Sequence, residues 1–413
     1  MRTLRQSLTT RGGAFLTCGL LLVVGGMTLG LSDLIRIGAL LVALVGLAAF
    51  LGRRRMDLEV NRTIAPPLVT VDEGALVTVR ITNRDGWRSP LCQATELLPP
   101  SLGDRPRMIV GAMSPGASRD FQYTVRPHQR GVHPVGPLQV EVSDPFGLTS
   151  RPAVVTGRGT LVVLPRVHPL TISRRLLGGA GSEGSIPQGV ALHGEDDQTV
   201  RAYRDGDDLR RIHWPATART GDLMVRQEDR PTRRHAVIVL DSRSVAHAGT
   251  GRSSTLEGAV SLTASMAAHL SQHAHRIRLV TSDSSADSGA RTDEDLDAAL
   301  VRLAEVQLDR TDSFLPILHA AQDRTTSGGL VIAVVGGLDD DTVRSLSALR
   351  PHGARGLAFV VQSGRSPAHA QSLARGTLAA LRASGWDAVV IDEGTAPSQA
   401  WSTAIGAEGA MAR

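Results

Sequence analysis

The sequence predicts a protein of class α/β plus β: an N-terminal helical hairpin, a β-sandwich, and a C-terminal α/β domain with a mostly parallel sheet. Three observations predict it. Two long apolar runs open the chain, short alternating segments separated by Pro, Gly, Asn and Asp fill 57–165, and apolar runs alternate with helical stretches over 235–405. At 413 residues there is room for two or three domains. Aromatic residues are only 3% of the chain, so the cores must rest on Val, Leu, Ile and Ala.

The hairpin takes up 1–55. Gly13 to Leu31 is an apolar run of 19 residues and Leu34 to Leu51 a second of 18, interrupted by Arg36 near its start. As helices, each just spans a hydrocarbon layer of ~30 Å. The Ser32-Asp33 join leaves room only for a tight turn. Arg2, Arg5 and Arg11 precede the first run, and Arg53, Arg54 and Arg55 follow the second. The positive-inside rule therefore puts both ends, and with them both soluble domains, in the cytoplasm of a multi-pass cell-membrane protein. A signal peptide would leave the second run unexplained, and no small-residue cleavage site stands at the right distance.

Over 57–165 the alternating segments are Asp57 to Ile64, Ala75 to Thr82, Arg119 to Val125, Leu138 to Val142 and Thr160 to Leu164. Short strands with such turns argue for an antiparallel, immunoglobulin-like sandwich. The domain carries no clustered carboxylates, His pairs or Cys for chemistry, so a spacer or interaction role is expected. Residues 166–193 are Gly- and Ser-rich and read as a flexible linker. Gly179-Ala180-Gly181-Ser182-Glu183-Gly184 within them matches the dinucleotide fingerprint only formally, since no strand leads in and no helix follows.

From 235 to 405, strands are expected at His235 to Leu240, Ile277 to Thr281, Leu330 to Val335, Leu357 to Val361 and Ala388 to Ile391. Helices are expected at Thr255 to Gln272, Glu294 to Glu305 and Pro367 to Arg382. This alternation implies a sheet covered on both faces.

Composition excludes several chemistries. All 45 basic residues are Arg, so there is no phosphate-loop lysine, no kinase strand lysine, no Schiff base and no Ser-Lys dyad. A net charge of +5, spread along the chain, does not suggest nucleic-acid binding. The two cysteines, Cys18 and Cys92, lie in different domains and make neither a disulfide framework nor a four-ligand zinc site. His269, His273 and His275 include an i, i+4 pair but lack a third ligand in sequence, and a polar helix face is the default reading. No nucleophile elbow occurs. No cofactor and no enzyme activity are expected.

The segment 194–234 interleaves acids and arginines around one Trp-Pro step. It holds nine Arg and nine Asp or Glu, punctuated by Val200, Tyr203, Leu209, Ile212, Trp214, Leu223, Met224 and Val225. Such a neutral balance is unlike a polyanion-binding segment, and the apolar punctuation is unlike a disordered tail. Two readings stand open. In one, Arg201, Arg210, Arg219 and their neighbours pair with Asp207 and nearby acids in a structural clip anchored by Trp214, with Pro215 ending a strand or turn. In the other, Arg201, Tyr203, Asp207, Arg210, Trp214 and Arg219 form a docking face, because Arg, Trp and Tyr dominate interface hot spots.

The same segment carries a resemblance. Glu195, Arg201, Tyr203, Gly206-Asp207, Arg210, Ile212, Trp214 and Ala218-Arg219 resemble the signature of the domain of unknown function 58 family. Upstream, Arg130-Gly131-Val132-His133 with Gly136-Pro137, then Asp144-Pro145-Phe146-Gly147-Leu148, then Leu164-Pro165, resemble that family's further motifs, so the likeness covers roughly 57–240. It implies a bacterial membrane-anchored protein working with a MoxR-type AAA+ ATPase in envelope or complex assembly. With Leu240-Asp241-Ser242-Arg243-Ser244 after its first strand, the α/β domain also resembles a von Willebrand factor type A domain.

That second resemblance implies a possible divalent-cation site, which this chain matches poorly. Asp241 keeps the first ligand position and Thr311 is a candidate for another. The two Ser positions are Arg243 and Val245, and the third-loop Asp is replaced by Gly336-Gly337. Asp339-Asp340-Asp341 could reach the same edge, though they read better as solvated loop carboxylates. The leading expectation is therefore a non-enzymatic membrane-anchored scaffold or adaptor that binds protein partners. The alternatives are a cation-dependent adhesion-type module using the Asp241 loop, or an unrecognised hydrolase.

Overall fold

The structure is a computed structural model and describes residues 8–51, 56–144, 146–171, 200–203, 212, 214–226, 234–282, 295–322, 329–350 and 354–406. It divides into two compact units, one of residues 1–166 with 250–252 and 300–307, the other of 167–249, 253–299 and 308–413.

The first unit opens with two helices, α1 (Thr10–Leu29) and α2 (Ser32–Leu51), long and apolar enough to cross a membrane. The turn falls at Gly30-Leu31 rather than Ser32-Asp33, because Gly30 takes the left-handed conformation (φ 70°) and closes α1, so that Ser32 already begins α2. The helices pack through small residues. A Cβ on Gly38 would lie 2.6 Å from the Gly19 carbonyl oxygen, so glycine is what lets the backbones approach. Leu21, Met27, Leu40 and Phe50 point outward and are exposed, unlike the apolar side chains of a soluble core helix.

Ten strands follow: β1 (Leu58–Ala65), β2 (Leu68–Thr70), β3 (Ala75–Asn83), β4 (Cys92–Glu96), β5 (Arg107–Val110), β6 (Ser118–Val125), β7 (Gly131–Val135), β8 (Leu138–Ser143), β9 (Ser150–Val155) and β10 (Gly159–Leu164). They form sheets β1-β3-β6, β5-β4-β8-β9 and β2-β10-β7. Burial alternates strictly along β3, which turns one face to a core of Val60, Val77, Val79, Ile81, Val140 and Leu161 among others. Pairing is not wholly antiparallel as expected: β2 runs parallel to β10. These two strands come from opposite ends of the domain, so the intervening chain serves as the long connection that a parallel pair requires.

The second unit carries a small ribbon, β11 (Val200–Ala202) with β12 (Met224–Arg226), and the short helix α3 (Trp214–Thr220) between them in sequence. A parallel five-stranded sheet follows, from β13 (Arg234–Leu240), β14 (His275–Val280), β15 (Leu330–Val335), β16 (Arg355–Val361) and β17 (Asp387–Ile391), in the order β14-β13-β15-β16-β17. Helix α4 (Thr255–Gln272) and helix α9 (Pro397–Gly406) cover one face. Helices α6 (Leu315–Gln322), α7 (Asp340–Ala348) and α8 (Ala368–Ala383) cover the other; α5 (Leu296–Glu305) precedes α6. All six residues of β15, Leu-Val-Ile-Ala-Val-Val, are buried, as a strand covered on both faces requires.

The expected linker 166–193 is not free at its start. The His168 N–H donates to Ser265 Oγ (2.9 Å), and Trp401 Nε1 donates to the Thr171 carbonyl (2.9 Å). The rest of it, including Gly179–Gly184, lies outside the described residues.

Candidate functional site

In the parallel sheet, the chain leaves β13 through α4 to β14 and returns on the other side of β13 as β15. The strand order thus reverses between β13 and β15. Open α/β sheets hold ligands outside the carboxyl ends of the strands at such a point. Asp241 and Gly336 are the residues that leave β13 and β15 there, and the Asp241 N–H is tied to the Val334 carbonyl (2.8 Å).

The Asp241 carboxylate is fully buried and accepts four hydrogen bonds. Oδ1 takes the Arg243 N–H (3.1 Å) and Arg243 Nε (2.9 Å); Oδ2 takes Arg243 Nη2 (2.8 Å) and the Gly336 N–H (3.2 Å). Two carboxylate oxygens offer about four lone-pair sites, so this one is saturated. The guanidinium continues outward: Nη1 donates to the Asp312 carbonyl (3.0 Å), Nη2 to the Gly337 carbonyl (3.4 Å), and Cζ stands 5.2 Å from the centre of the Phe314 ring. Burial works against its charge, but the hydrogen bonds and charge of Asp241, with Asp339 and Asp312 behind, outweigh that and raise the Arg243 pKa. Both oxygens of Asp241, the residue at the first ligand position, are thus taken up by the protein's own donors. The loops close tightly around it, since a Cβ on Gly336 would meet Ala246 Cβ at 2.5 Å.

Thr311 does not join Asp241 in a ligand set. Its hydroxyl donates to Asp309 Oδ1 (2.8 Å), while the backbone around Asp309 pairs with the 242–244 loop, the Ser244 N–H donating to the Asp309 carbonyl (2.6 Å). The acidic trio is exposed, but only Asp339 lies in a loop. Asp339 precedes α7 and accepts from Thr342 Oγ1 (2.5 Å), which holds its carboxyl below the ordinary value, and Asp340 and Asp341 form the first turn of α7, where negative charge suits the helix dipole. On the opposite side of the loop, His247 Nε2 donates to the Asp241 carbonyl (2.6 Å).

The histidine cluster departs from the expected polar helix face. His269 is buried against Trp401 in an edge-on contact (5.4 Å between ring centres), and His273 lies 4.5 Å from it. Burial pushes the His269 pKa down, and His273 and His275 push it the same way. Among the described residues, no group of three or more His, Cys, Asp or Glu side chains is arranged to hold a metal ion.

In the charged segment, Arg201 stands on β11 opposite Val225, and the Tyr203 N–H donates to the Leu223 carbonyl (2.7 Å). Thr217 Oγ1 accepts from the Met224 N–H (3.0 Å), fastening α3 to β12. Trp214 is 66% exposed at the first position of α3. Pro215 likewise starts the helix rather than ending a strand, because proline's fixed φ suits a first helical turn. Arg219 is exposed on the last turn. Asp207 and Arg210 lie outside the described residues, as does most of the expected ion-pair network.

Among solved structures, the chain is similar to the CARDB domain of a Pyrococcus furiosus protein, crystallised in complex with di-metal ions. That likeness has 18% identity and a TM-score of 0.20, over 26% of this chain and 93% of that one. It is similar also to a Pseudomonas fluorescens alkylpurine DNA glycosylase (12% identity, TM-score 0.17, 26% of this chain and 30% of that one). A third is a Listeria innocua β-glucosidase (14% identity, TM-score 0.17, 26% and 16%). Likeness at this level carries no argument about fold or function. No curated protein matches the chain. The family model described as Protein of unknown function DUF58 matches residues 199–351, and this match supports the DUF58 family for the chain.

Proposed function

We propose that this protein is a non-enzymatic, membrane-anchored scaffold or adaptor whose α/β domain, of von Willebrand factor type A-like build, docks a protein partner through the ribbon of β11, β12 and α3. The hairpin holds it in the cell membrane with both soluble domains cytoplasmic, and the partner is a MoxR-type AAA+ ATPase acting in envelope or complex assembly. The observation that carries this reading is Trp214, 66% exposed at the head of a fastened helix, with Leu223 and Arg219 also exposed. Trp and Arg are the residues from which interface hot spots are most often built, and here both are exposed on one fastened element. The saturated Asp241 carboxylate supports the same reading, since it offers no lone pair to a cation and no base to a nucleophile.

The test is capture of the purified ATPase by the detergent-solubilised full chain, compared with Trp214→Ala and Arg219→Ala. Loss of capture with an unchanged melting profile is expected. Undiminished capture by both variants would remove the ribbon from the interface.

A further inference from the structure

The loop between β8 and β9 does more than connect two strands. Asp144 folds it, accepting from the Phe146 N–H (2.8 Å), from the Thr149 N–H and from Thr149 Oγ1 (2.9 Å). The folded loop presses into the open end of the hairpin. Thr9, the N-cap of α1, donates its hydroxyl to the Gly147 carbonyl (2.7 Å) and its N–H to the Leu148 carbonyl (3.0 Å), while accepting the Gly12 N–H (3.1 Å). Leu148 is 2% exposed and packs with Val45 and Ala48 of α2 and with Leu8, Leu16 and Leu44. A Cβ on Gly12 would lie 2.0 Å from the Leu148 carbonyl oxygen, so only glycine admits the loop there.

Ala48 and Val45 lie ~4.5 and ~9 Å inside the end of α2 at the helical rise of 1.5 Å per residue. Leu148 is therefore level with the first turns of α1 and the last turns of α2, helices that themselves measure ~30 Å, the thickness of a hydrocarbon core. Phe146, two residues away, is 53% exposed beside that end. The same end of the β domain displays further apolar side chains. Leu91, 62% exposed, leads into β4, whose first residue Cys92 pairs with Val142 just before the Asp144 loop. Trp87, 72% exposed, lies in the turn after β3, its carbonyl held by Asn83 Nδ2 (2.7 Å), and Asn83 pairs with Leu58 at the start of the first strand after α2. Arg88 is exposed next to Trp87, and in the sequence Arg53-Arg54-Arg55 stand between α2 and the first strand.

We propose that Phe146, Leu91 and Trp87 form a second membrane contact, dipping into the headgroup layer of the cytoplasmic leaflet around the hairpin, with Arg88 facing anionic phospholipid. Aromatic side chains beside arginine are the residues that settle at a bilayer interface. The proposal rests on the hairpin spanning the bilayer; the new element is that the β domain lies on the membrane rather than standing away from it.

The experiment places a nitroxide on the full chain in nanodiscs of phosphatidylcholine and phosphatidylglycerol, in a Cys18→Ser background that leaves Cys92 buried. The labelled positions are Phe146→Cys and Leu91→Cys, with Gln122→Cys on β6 as the aqueous control and Leu21→Cys on α1 as the anchor control. Expected is a shift at 146 and 91 towards oxygen accessibility over a water-soluble nickel chelate, intermediate between the values at 21 and 122. If 21 reads deep while 146 and 91 read as aqueous as 122, the interfacial contact is wrong and the anchor stands. If 21 reads aqueous, the anchor reading fails and the proposal with it.

Discussion

Both units bury an arginine–carboxylate pair, and the two pairs are completed differently. In the β domain, Arg62 Nε donates to Glu96 Oε1 (2.7 Å) and Nη1 to the Gly157 carbonyl (2.7 Å), but among the described residues Arg62 Nη2 and Glu96 Oε2 have no partner, nor does the nearby Tyr123 hydroxyl. Burial and the charge of Glu96 push the Tyr123 pKa up. In the α/β domain, Asp241 and Arg243 satisfy each other, and backbone from three loops completes the set. The first pair stitches strands together at a cost in desolvation. The second closes the edge of the sheet at the point where proteins of this architecture usually keep a ligand. Chemistry of the same kind thus serves as a fastener in one unit and a plug in the other.

The sharpest way to break this comparison is to remove one partner of each pair. Asp241→Ala strands a buried guanidinium and the Gly336 N–H together, and should cost about 3–5 kcal/mol, at the upper end of that range, in denaturant unfolding of the α/β domain. Glu96→Ala should fall at the lower end, because part of its pair is already unsatisfied. Equal costs would mean that the difference in completion has no energetic weight.

Replacing both partners by apolar residues sharpens it further. Arg62→Met with Glu96→Leu should be neutral or stabilising by about 1–4 kcal/mol, since two orphaned polar atoms leave with the charges. Asp241→Leu with Arg243→Met should still destabilise, because the Gly336 N–H and the Asp312 and Gly337 carbonyls lose their partners. Opposite signs for the two double variants are the expected outcome.

A smaller effect concerns His269. Its pKa is lowered from 6.5 by burial and by His273 and His275, so the unfolded chain takes up the proton first as pH falls. The stability that neutral His269 contributes is full above about pH 6.5 and is lost as pH falls from there through the lower folded-state pKa. His269→Gln should flatten that part of a melting-temperature profile; an unchanged slope would assign it to other groups. Smallest in stability is Trp214→Ala, expected within about 0.5 kcal/mol because the side chain is exposed, although it should abolish partner capture.

Much of this architecture can be read from the chain because the patterns that encode it are local. The parallel strands are near-continuous apolar runs such as Leu330–Val335, and strands β1, β3, β6, β8 and β10 alternate cleanly. Strands β7 and β9 were hidden by Pro134 and Pro152, which argue against a strand yet are tolerated here. Helix α6 is short and contains Pro316, and α7 begins inside an acidic trio that resembles a solvated loop. The eroded cation loop was legible as Asp-x-Arg. That Arg243 folds back onto Asp241 was not legible, because the carbonyls that hold its far side come from Asp312 and Gly337, 69 and 94 residues away. The exposure of Trp214 was equally out of reach, since no local pattern tells an anchor in the core from one on the surface.

On the reading proposed above, this chain binds through its exposed ribbon and not at the plugged sheet edge. Calorimetric titration of the full chain in detergent with Mg²⁺ tests it most directly. Heats of dilution only are expected, with Asp241→Asn indistinguishable from the unmodified chain. Saturable micromolar binding that Asp241→Asn abolishes would show that Arg243 yields Asp241 to a cation, and that the sheet edge is a working site.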